Sequence, residues 1–488
     1  MRGPTPWGLL LFTFATLCTA SLPSTSPATP LVLPPDFTPP QVFNNTNLLR
    51  TIDLTRPYSR EVIAVIVENG SNQTQTEYYV PFAKEVVDRV SYVEARDKAG
   101  PGGDFIVRKV EFDEKSPVQY YRIDMAPLAP SSQITLQLTI GLLHTATPRP
   151  ATVSQVDKQF LFYRGSRYFH SAYPTLKQKT KLRFPNPEVP EYTKFTPKAG
   201  STDDPAKAGS FITYGPYELV KVEEKGGEPI ELMYEYTAPV ITANTLERDI
   251  EVSHWGGNMA VEERYTITNK GAKLKDQFSR VTWAATSYYN PPTHAIKSLT
   301  FDLGVGASDP YYTDEIGNIS TSRFRSNSYE ALLELKPRFP IFGGWNASFV
   351  IGWNHELGKF LRTDKKDAEQ YVLKVPFLEG PKEPIVYDEV EVTVILPEGA
   401  TDVSYISPID IDSEERYLHK TFMDTLGRTA LKLKVRNVAD EAHGKELIVM
   451  YRYPKFAGLR KPLVFFTGLM SLFLVSWLIG KVDTRIAK

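Results

Sequence analysis

The stretch QITLQLTI, residues 133–140, alternates apolar and polar side chains along its whole length. In an extended chain its four aliphatic residues fall on one side and its glutamines and threonines on the other, which is typical of a strand with one buried face. VEVTV at 390–394 and LKLKVR at 431–436 repeat this alternation, and VIAVIV at 62–67 has the continuous apolar run of a strand buried on both faces. Amphipathic helical patterns are few, so the sequence predicts a mainly β protein with sandwich- or barrel-like sheets.

A second pattern is an internal repeat. The words MYEYT at 233–237 and MYRYP at 450–454 match each other. Three further pairs follow the same order along the chain, with an offset that only increases, as loop insertions would make it: RTIDLT with RDIEVS, VENG with TNKG, and LRFP with VILP. Collinear matches of this kind are typical of a duplicated unit. They predict two tandem, related, β-sandwich-like domains at 41–240 and 241–456.

The N-terminal residues predict export into a lumenal or extracellular compartment. Arg2 precedes a short apolar core, and the small residues Cys18 and Ala20 have the spacing that signal peptidase recognises. The apolar core is too short to cross a membrane as an anchor. We therefore predict a signal peptide at 1–20, followed at 21–40 by an extended leader that holds seven prolines.

A long apolar run follows the second predicted domain. Residues 463–480 carry no charge and are bounded by Lys461 and Lys481, so they predict a transmembrane helix at 462–480. Basic residues flank both ends, so loop charge does not orient this helix. The signal peptide does, because it places the N-terminal side in the lumen and leaves 481–488 as a short cytosolic tail.

Three small residues of the apolar run, Thr467, Gly468 and Ser471, lie on one side of the predicted helix. Small side chains on a single face let a second helix approach closely in lipid. We therefore expect this face to pack against another membrane span.

Five Asn-X-Ser/Thr sequons agree with a lumenal location for the bulk of the chain. They begin at Asn44, Asn69, Asn72, Asn318 and Asn346. Because Asn69 and Asn72 are so close together, we do not expect both of them to carry a glycan.

Charge and cysteine content exclude several classes of function. The chain has 56 Lys and Arg against 57 Asp and Glu, and this near-balance provides no field that would draw the protein onto nucleic acid. Cys18 is the only cysteine and falls inside the predicted signal peptide. The mature protein is therefore expected to have no disulfide, thiol nucleophile or cysteine-ligated zinc, and its domains depend on core packing alone.

Catalytic and metal-binding motifs are absent from the sequence. The seven histidines are scattered without a second ligand four residues on, and zincin, nucleophile-elbow and phosphate-loop motifs do not occur. Asp424-Thr425 resembles the start of an aspartic-protease motif, but Leu426 stands in place of the glycine, so a plain turn is the better interpretation. The acidic run at 410–415 lacks the glycine and the bidentate glutamate of a calcium loop. We predict no catalytic residue, no metal site and no cofactor.

Six blocks of sequence are distinctive in combination. They are SHWGGNMAVEE at 253–263, GAKLKDQFSR at 271–280, YYTDEIGNIST at 311–321, PRFPIFGGW at 337–345, ILPEGA at 395–400 and MDTLGR at 423–428. Together and in this order they resemble the ribophorin I family, and the resemblance covers the chain from about residue 45 to the predicted span. Asn318 lies inside one block and is therefore the first candidate for an occupied sequon.

The resemblance implies a non-catalytic subunit of the endoplasmic-reticulum oligosaccharyltransferase. That complex transfers a preassembled glycan from dolichol pyrophosphate to the asparagine of Asn-X-Ser/Thr sequons in nascent proteins, and a separate multispanning subunit holds its metal-dependent active site. The implied partners are the other subunits, including the catalytic one, and nascent acceptor polypeptide that the lumenal domains would help to position. The implied location is the endoplasmic-reticulum membrane, as a single-pass type I protein with the bulk of the chain in the lumen.

One alternative stays open at this point. A signal peptide, sequons and one span would equally suit a cell-surface single-span receptor or adhesion protein built of β-sandwiches. The family blocks and the cysteine-free ectodomain favour the first interpretation. Animal members of the family continue into a sizeable cytosolic segment, so the short predicted tail favours a fungal-type complex. Because the tail has no retrieval signal of the usual kind, retention is expected to depend on partner subunits.

Overall fold

Extended backbone dominates the structure, so the predicted mainly β class is confirmed. The computed structural model describes residues 32–98, 103–112, 116, 118–195, 204–222, 227–289, 292–421 and 424–481. The predicted signal peptide, the leader up to residue 31 and the tail from residue 482 lie outside the described residues. The chain from residue 31 onward belongs to one compact unit, and the predicted domain boundaries within it stay a prediction.

The first half of the described chain contains strands β1 to β17 and one short helix, α1, at Lys84–Val87. The strands are β1 Val32–Leu33, β2 Phe43–Asp53, β3 Ser59–Asn69, β4 Gln75–Ala83, β5 Val90–Asp97, β6 Asp104–Lys109, β7 Glu111–Phe112, β8 Val118–Leu128, β9 Gln133–Leu142, β10 Ala146–Pro148, β11 Thr152–Val153, β12 Phe160–Ser166, β13 Thr175–Arg183, β14 Glu191–Tyr192, β15 Ala206–Ala208, β16 Phe211–Val220 and β17 Pro229–Glu235. A ten-stranded sheet has the order β15-β16-β13-β2-β3-β9-β5-β6-β8-β4, and a four-stranded sheet has the order β10-β12-β17-β14.

The second half contains strands β18 to β33 and two helices, α2 at Arg280–Ser287 and α3 at Arg460–Lys481. The strands are β18 Ile241–Ser253, β19 Asn258–Asn269, β20 Lys273–Leu274, β21 Leu299–Asp302, β22 Ser308–Asp314, β23 Gly317–Asn318, β24 Arg323–Ser326, β25 Ala331–Leu335, β26 Asn346–Glu356, β27 Leu361–Thr363, β28 Gln370–Pro376, β29 Ile385–Ile395, β30 Thr401–Ile406, β31 Ser413–His419, β32 Arg428–Ala439 and β33 Glu446–Arg452. An eight-stranded sheet has the order β23-β22-β26-β19-β18-β29-β32-β31, and smaller sheets have the orders β27-β28-β33-β30 and β21-β25-β24.

The two halves share one strand plan. In the first half β2 pairs antiparallel with β3 and parallel with β13, and in the second half β18 pairs antiparallel with β19 and parallel with β29. The outer neighbours also correspond, because β9 and β16 in the first half have the places of β26 and β32 in the second. Even the register agrees, since Ile52 lies opposite Leu182 and Ile250 lies opposite Val394. The repeated words of the sequence therefore occupy equivalent strands.

The first half has two cores, one enclosed by strands of the ten-stranded sheet itself and one between that sheet and the four-stranded sheet. In β9, Leu136, Leu138 and Ile140 are buried, as the alternation of QITLQLTI predicts. In the second half the apolar faces of β18 and β29 pack with those of β28 and β33. Strand β3 departs from the expectation of two buried faces, because its residues alternate between buried and half-buried. Only one of its faces is deeply packed.

Candidate functional site

Two half-buried histidines serve the fold. His254 Nε2 lies 2.7 Å from Tyr451 Oη. His443 Nε2 lies 2.8 Å from Tyr387 Oη. Burial lowers the pKa of both histidines to about 4, so both are neutral at physiological pH. Within the part of the chain that the structure describes, no group of three or more His, Cys, Asp or Glu residues could hold a metal ion.

The Asp-Thr dipeptide at 424–425 belongs to a tight turn. Asp424 Oδ2 accepts hydrogen bonds from the backbone N–H and the hydroxyl of Thr421, at 2.9 and 2.7 Å. The buried carboxylate of Glu398 accepts a hydrogen bond from the backbone N–H of Leu426 at 2.6 Å. Both carboxylates are therefore occupied in holding the backbone, which agrees with the turn interpretation.

A cluster of polar side chains, here called the joint, connects the two halves. Its centre is Tyr58, which is buried and whose hydroxyl contacts the carboxylates of Asp440 and Glu441. Arg56 Nη1 lies 2.7 Å from Asp440 Oδ1. Burial and the two carboxylates raise the pKa of Tyr58 far above its ordinary value, and burial also raises the pKa of Glu441. The phenol therefore stays protonated as a hydrogen-bond donor to this acidic pair.

Apolar and backbone contacts extend the joint on either side of Tyr58. Leu143 of the first half packs with Val386 and Ala439 of the second half. The backbone N–H of Ala439 donates to Ser91 Oγ at 3.0 Å. Strand β11 of the first half also pairs in parallel with β20 of the second. Side-chain, apolar and main-chain contacts together hold the halves as one body.

A cleft of about 520 Å³ opens beside the joint. Tyr92 and Lys109 line it from the first half, and Asp410 and Arg436 line it from the second. Burial raises the pKa of Asp410. The walls combine aromatic surface with charges of both signs.

Each half also contains a buried arginine–glutamate pair on its central strands. Arg50 Nη2 lies 2.6 Å from Glu61 Oε1. Arg248 contacts Glu263 and lies 3.2 Å from Glu379 Oε2. Burial raises the pKa of Glu379 to about 7, although the positive charge of Arg248 opposes the shift. Because these groups lie in the cores of the sheets, we assign them to the specificity of folding.

The sequon asparagines differ in accessibility. Those with exposed side chains are Asn44, Asn72, Asn318 and Asn346. Asn69 is fully buried, and its Nδ2 donates hydrogen bonds to two backbone carbonyl oxygens at 2.8 and 2.9 Å. A glycan would replace one of the two hydrogens on this nitrogen and so remove at least one of these bonds, and the sugar would not fit at this buried position in the folded protein.

The buried Asn69 has a counterpart in the second half. Asn269 ends β19 as Asn69 ends β3, and its Nδ2 donates to the carbonyl oxygens of His294 and Ile341 at 2.7 and 3.0 Å. Each asparagine is buried at the end of its strand, where its side-chain amide bonds backbone carbonyl groups of neighbouring segments. The match of VENG with TNKG did not carry this signal, because aligning Gly70 with Gly271 places Asn69 opposite Lys270, one position away from Asn269.

Helix α3, at Arg460–Lys481, agrees with the predicted span at 462–480 and is long and apolar enough to cross a membrane. The hydroxyls of Thr467 and Ser471 donate to backbone carbonyl oxygens within the helix, at 3.0 and 2.7 Å. Together with Gly468 they leave a face of small residues whose polar groups are already satisfied. Packing of this face against a second span stays a prediction.

The relationship of the chain to known proteins is decided by a match along most of its length. The family model described as Ribophorin I matches residues 43–480, which include both halves and nearly all of α3. The chain belongs to the ribophorin I family. The expectation drawn from the six sequence blocks is therefore confirmed.

Relatives of this ribophorin I family member come from distant eukaryotes. The protein named dolichyl-diphosphooligosaccharide–protein glycosyltransferase subunit 1 of Caenorhabditis elegans is 31% identical over 446 residues, which cover 90% of this chain and 72% of the relative. The subunit 1 of Schizosaccharomyces pombe is 29% identical over 450 residues, covering 90% and 95%. Subunit 1A of Arabidopsis thaliana is 30% identical over 453 residues, covering 90% and 70%.

Zinc peptidases are among the solved structures that match this ribophorin I family member. A two-domain M1 zinc metallopeptidase aligns with 43% of this chain and 42% of its own, at 13% identity and a TM-score of 0.25. That score is too low to carry an argument about fold or function.

Proposed function

We propose that this ribophorin I family member is a non-catalytic subunit of the oligosaccharyltransferase of the endoplasmic-reticulum membrane. It supports the transfer of a preassembled glycan from dolichol pyrophosphate to the asparagine of Asn-X-Ser/Thr sequons in nascent proteins. The observation that carries the proposal is the family match over residues 43–480. Relatives that are about 30% identical along 90% of the chain have names that make them subunit 1 of the corresponding glycosyltransferase.

The part of this subunit in the complex is to act as a scaffold. Two tandem domains, 41–240 and 241–456, form a single body because the joint fixes them to each other, and this body leads directly into α3. The face formed by Thr467, Gly468 and Ser471 packs against a span of the multispanning catalytic subunit. The signal peptide places the body in the lumen, so the protein is single-pass and type I. Chemistry belongs to the catalytic partner.

The two-domain body also positions acceptor polypeptide, which it binds in the cleft beside the joint. An extended nascent chain would find aromatic surface at Tyr92 and charges of both signs on the opposing walls. Binding of this kind tolerates many sequences, as a subunit that serves many acceptors requires.

Depletion of the protein in cells tests the proposal. The occupancy of sequons on several reporter glycoproteins is expected to fall and to recover when the wild-type chain is restored. Unchanged occupancy, with the remaining subunits still purifying together, would refute the scaffold role. Surface biotinylation of intact cells separates this function from the cell-surface receptor or adhesion protein, because a resident of the endoplasmic reticulum stays unlabelled.

A further inference from the structure

Three loops of the second half meet at one edge of the eight-stranded sheet. Strands β18 and β29 run parallel and end beside each other, and β32 runs antiparallel and starts next to the end of β29. The hairpin tip at 254–257 and the loops at 396–400 and 424–427 therefore lie together. Strand β31 ends at the same place, because its last residues pair with the start of β32. We call this region the span-proximal edge.

The span-proximal edge is attached to the beginning of α3. Lys461 Nζ lies 3.3 Å from Asp424 Oδ1, and none of the Asp424 side chain is exposed. Gly399 packs so closely on the turn before α3 that a Cβ added to it would lie 3.0 Å from the Ala457 Cβ. Trp255 and Lys461 line the same small cavity of about 50 Å³. The hairpin tip, both loops and the first turn of α3 thus form one contact region.

Large apolar side chains stand exposed on and beside this edge. Each is between 55% and 82% exposed, and they are Trp255, Leu418, Leu426, Phe456 and Leu459. The exposed lysines Lys420 and Lys455 lie among them along the chain. Five exposed large apolar side chains at one edge, beside polar residues, mark an interaction surface. Tryptophan together with lysine is the composition of a membrane–water interface.

The outward position of Trp255 is fixed by the residue before it. The ring of His254 packs against Tyr371 and Tyr453, with centroid distances of 4.7 and 4.5 Å. Its Nε2 also lies 2.7 Å from Tyr451 Oη. Because His254 is held inside, Trp255 points out of the tight tip. Two of these three tyrosines, Tyr451 and Tyr453, belong to the stretch MYRYP, which leads directly into the span.

The depth of the edge follows from the geometry of α3. The uncharged run starts at Leu463, two residues after Lys461, and two residues rise about 3 Å along a helix axis. The headgroup layer on each side of a hydrocarbon core is roughly 5–8 Å thick. Asp424 lies level with Lys461 because the two side chains form an ion pair. The span-proximal edge therefore lies within the headgroup layer when α3 crosses a membrane.

We propose that the span-proximal edge is seated in the headgroup–acyl boundary of the same membrane that α3 crosses, with Trp255 and Leu426 inserted among the lipids. Lipid is the occupant because the edge is continuous with α3, and a bilayer crossed by α3 meets the edge without any further partner. The exposed lysines can reach lipid phosphate groups at the headgroup level. The seat gives the protein a second membrane contact and fixes the tilt of its large body. It rests on α3 crossing a membrane and is independent of the oligosaccharyltransferase role.

Site-directed spin labelling of the full chain tests the seat. Because Cys18 is the only cysteine and lies in the predicted signal peptide, the mature chain provides a cysteine-free background for L418C or L426C. The matched control is V281C, since Val281 is an exposed aliphatic residue of α2, which follows the far end of β19. A strand of this length separates the two ends by ~40 Å. All three labelled positions are exposed, so the substitutions are expected to leave the fold intact.

The chains are reconstituted into phosphatidylcholine vesicles that contain phosphatidylserine. Labels at positions 418 and 426 are expected to collide several-fold less with a water-soluble nickel chelate than the label in V281C, and more with dissolved oxygen, which partitions into lipid. W255D is expected to remove most of this protection, whereas W255F keeps it. Equal access of the nickel chelate to all three labels would overturn the proposal. Protection that arises only when partner subunits are present would also overturn it, because a protein would then cover the edge.

The experiment separates this proposal from the proposed function. Recovery of partner subunits with the full chain is measured independently of label accessibility. A chain that assembles normally but leaves both labels in water refutes the seat alone.

Discussion

Replacing Tyr58 with phenylalanine tests whether a single hydroxyl holds the two halves together. The ring would keep its packing against Leu143 and Val386. Only the contacts of the hydroxyl with Asp440 and Glu441 would be lost. The variant therefore removes the polar centre of the joint and leaves its apolar part in place.

The magnitude follows from the charge of the hydrogen-bond partners. A hydrogen bond to a charged group contributes about 1.5–3 kcal/mol, and every 1.4 kcal/mol is a factor of ten in an equilibrium constant. Opening of the joint in Tyr58→Phe should therefore become roughly 10- to 150-fold more frequent. The cores of the two halves should keep their stability, because none of their own contacts changes.

Hydrogen exchange at Ala439 measures this opening. Its backbone N–H donates to Ser91 Oγ across the joint, so it exchanges when the joint opens. Exchange at Ala439 should accelerate by the factor given above, while amides of β9 stay unchanged. Y329F is the matched control, because Tyr329 is an exposed tyrosine and its loss of a hydroxyl should change nothing. Equal exchange of the Ala439 amide in Tyr58→Phe and the wild type would show that the Tyr58 hydroxyl does not hold the joint closed.

Three further predictions concern the core, the sequons and the span. Because folding raises the pKa of Glu379 from 4.5 to about 7, its ionisation destabilises the folded state as the pH rises through 7. The free energy of unfolding of E379Q, measured with urea, should therefore rise by up to about 3 kcal/mol relative to that of the wild type between pH 5 and pH 8. Equal pH dependence of this free energy in the two proteins would contradict the prediction. N318Q should shift the electrophoretic mobility of the mature protein by one glycan, whereas N69Q should not; a shift in N69Q would show that the buried amide carries a glycan. G468L should lower the recovery of partner spans in mild detergent, whereas F473L, on the opposite side of the helix, should not; equal recovery would remove the role of the small face.

The strands were predictable because the alternation of apolar and polar side chains involves only residues that are neighbours in the sequence. A period of two along QITLQLTI fixes which side chains face the core, and the same pattern in β29 and β32 gives the same burial. The repeat was predictable because equivalent strands must bury equivalent positions, which is why Ile52 and Ile250 have matching neighbours. Word matching between the halves therefore located a shared strand plan without any knowledge of the turns.

The joint could not be predicted, because its partners are far apart in the sequence. Tyr58 meets Asp440 across 382 positions, and no local pattern marks either residue as a partner of the other. The accessibility of the sequon asparagines could not be predicted either, because the sequon at Asn69 has the same sequence pattern whether its asparagine is buried or exposed. The attachment of Trp255 beside α3 also depends on strand order, which the alternation of side chains does not specify.

Purification of the protein in mild detergent, with quantitative identification of its companions, is the direct test of its place in the oligosaccharyltransferase. We expect the other oligosaccharyltransferase subunits, including the multispanning catalytic one, to be recovered in amounts comparable to the protein itself. A protein recovered alone, or with plasma-membrane proteins and no oligosaccharyltransferase subunit, would rule out this role.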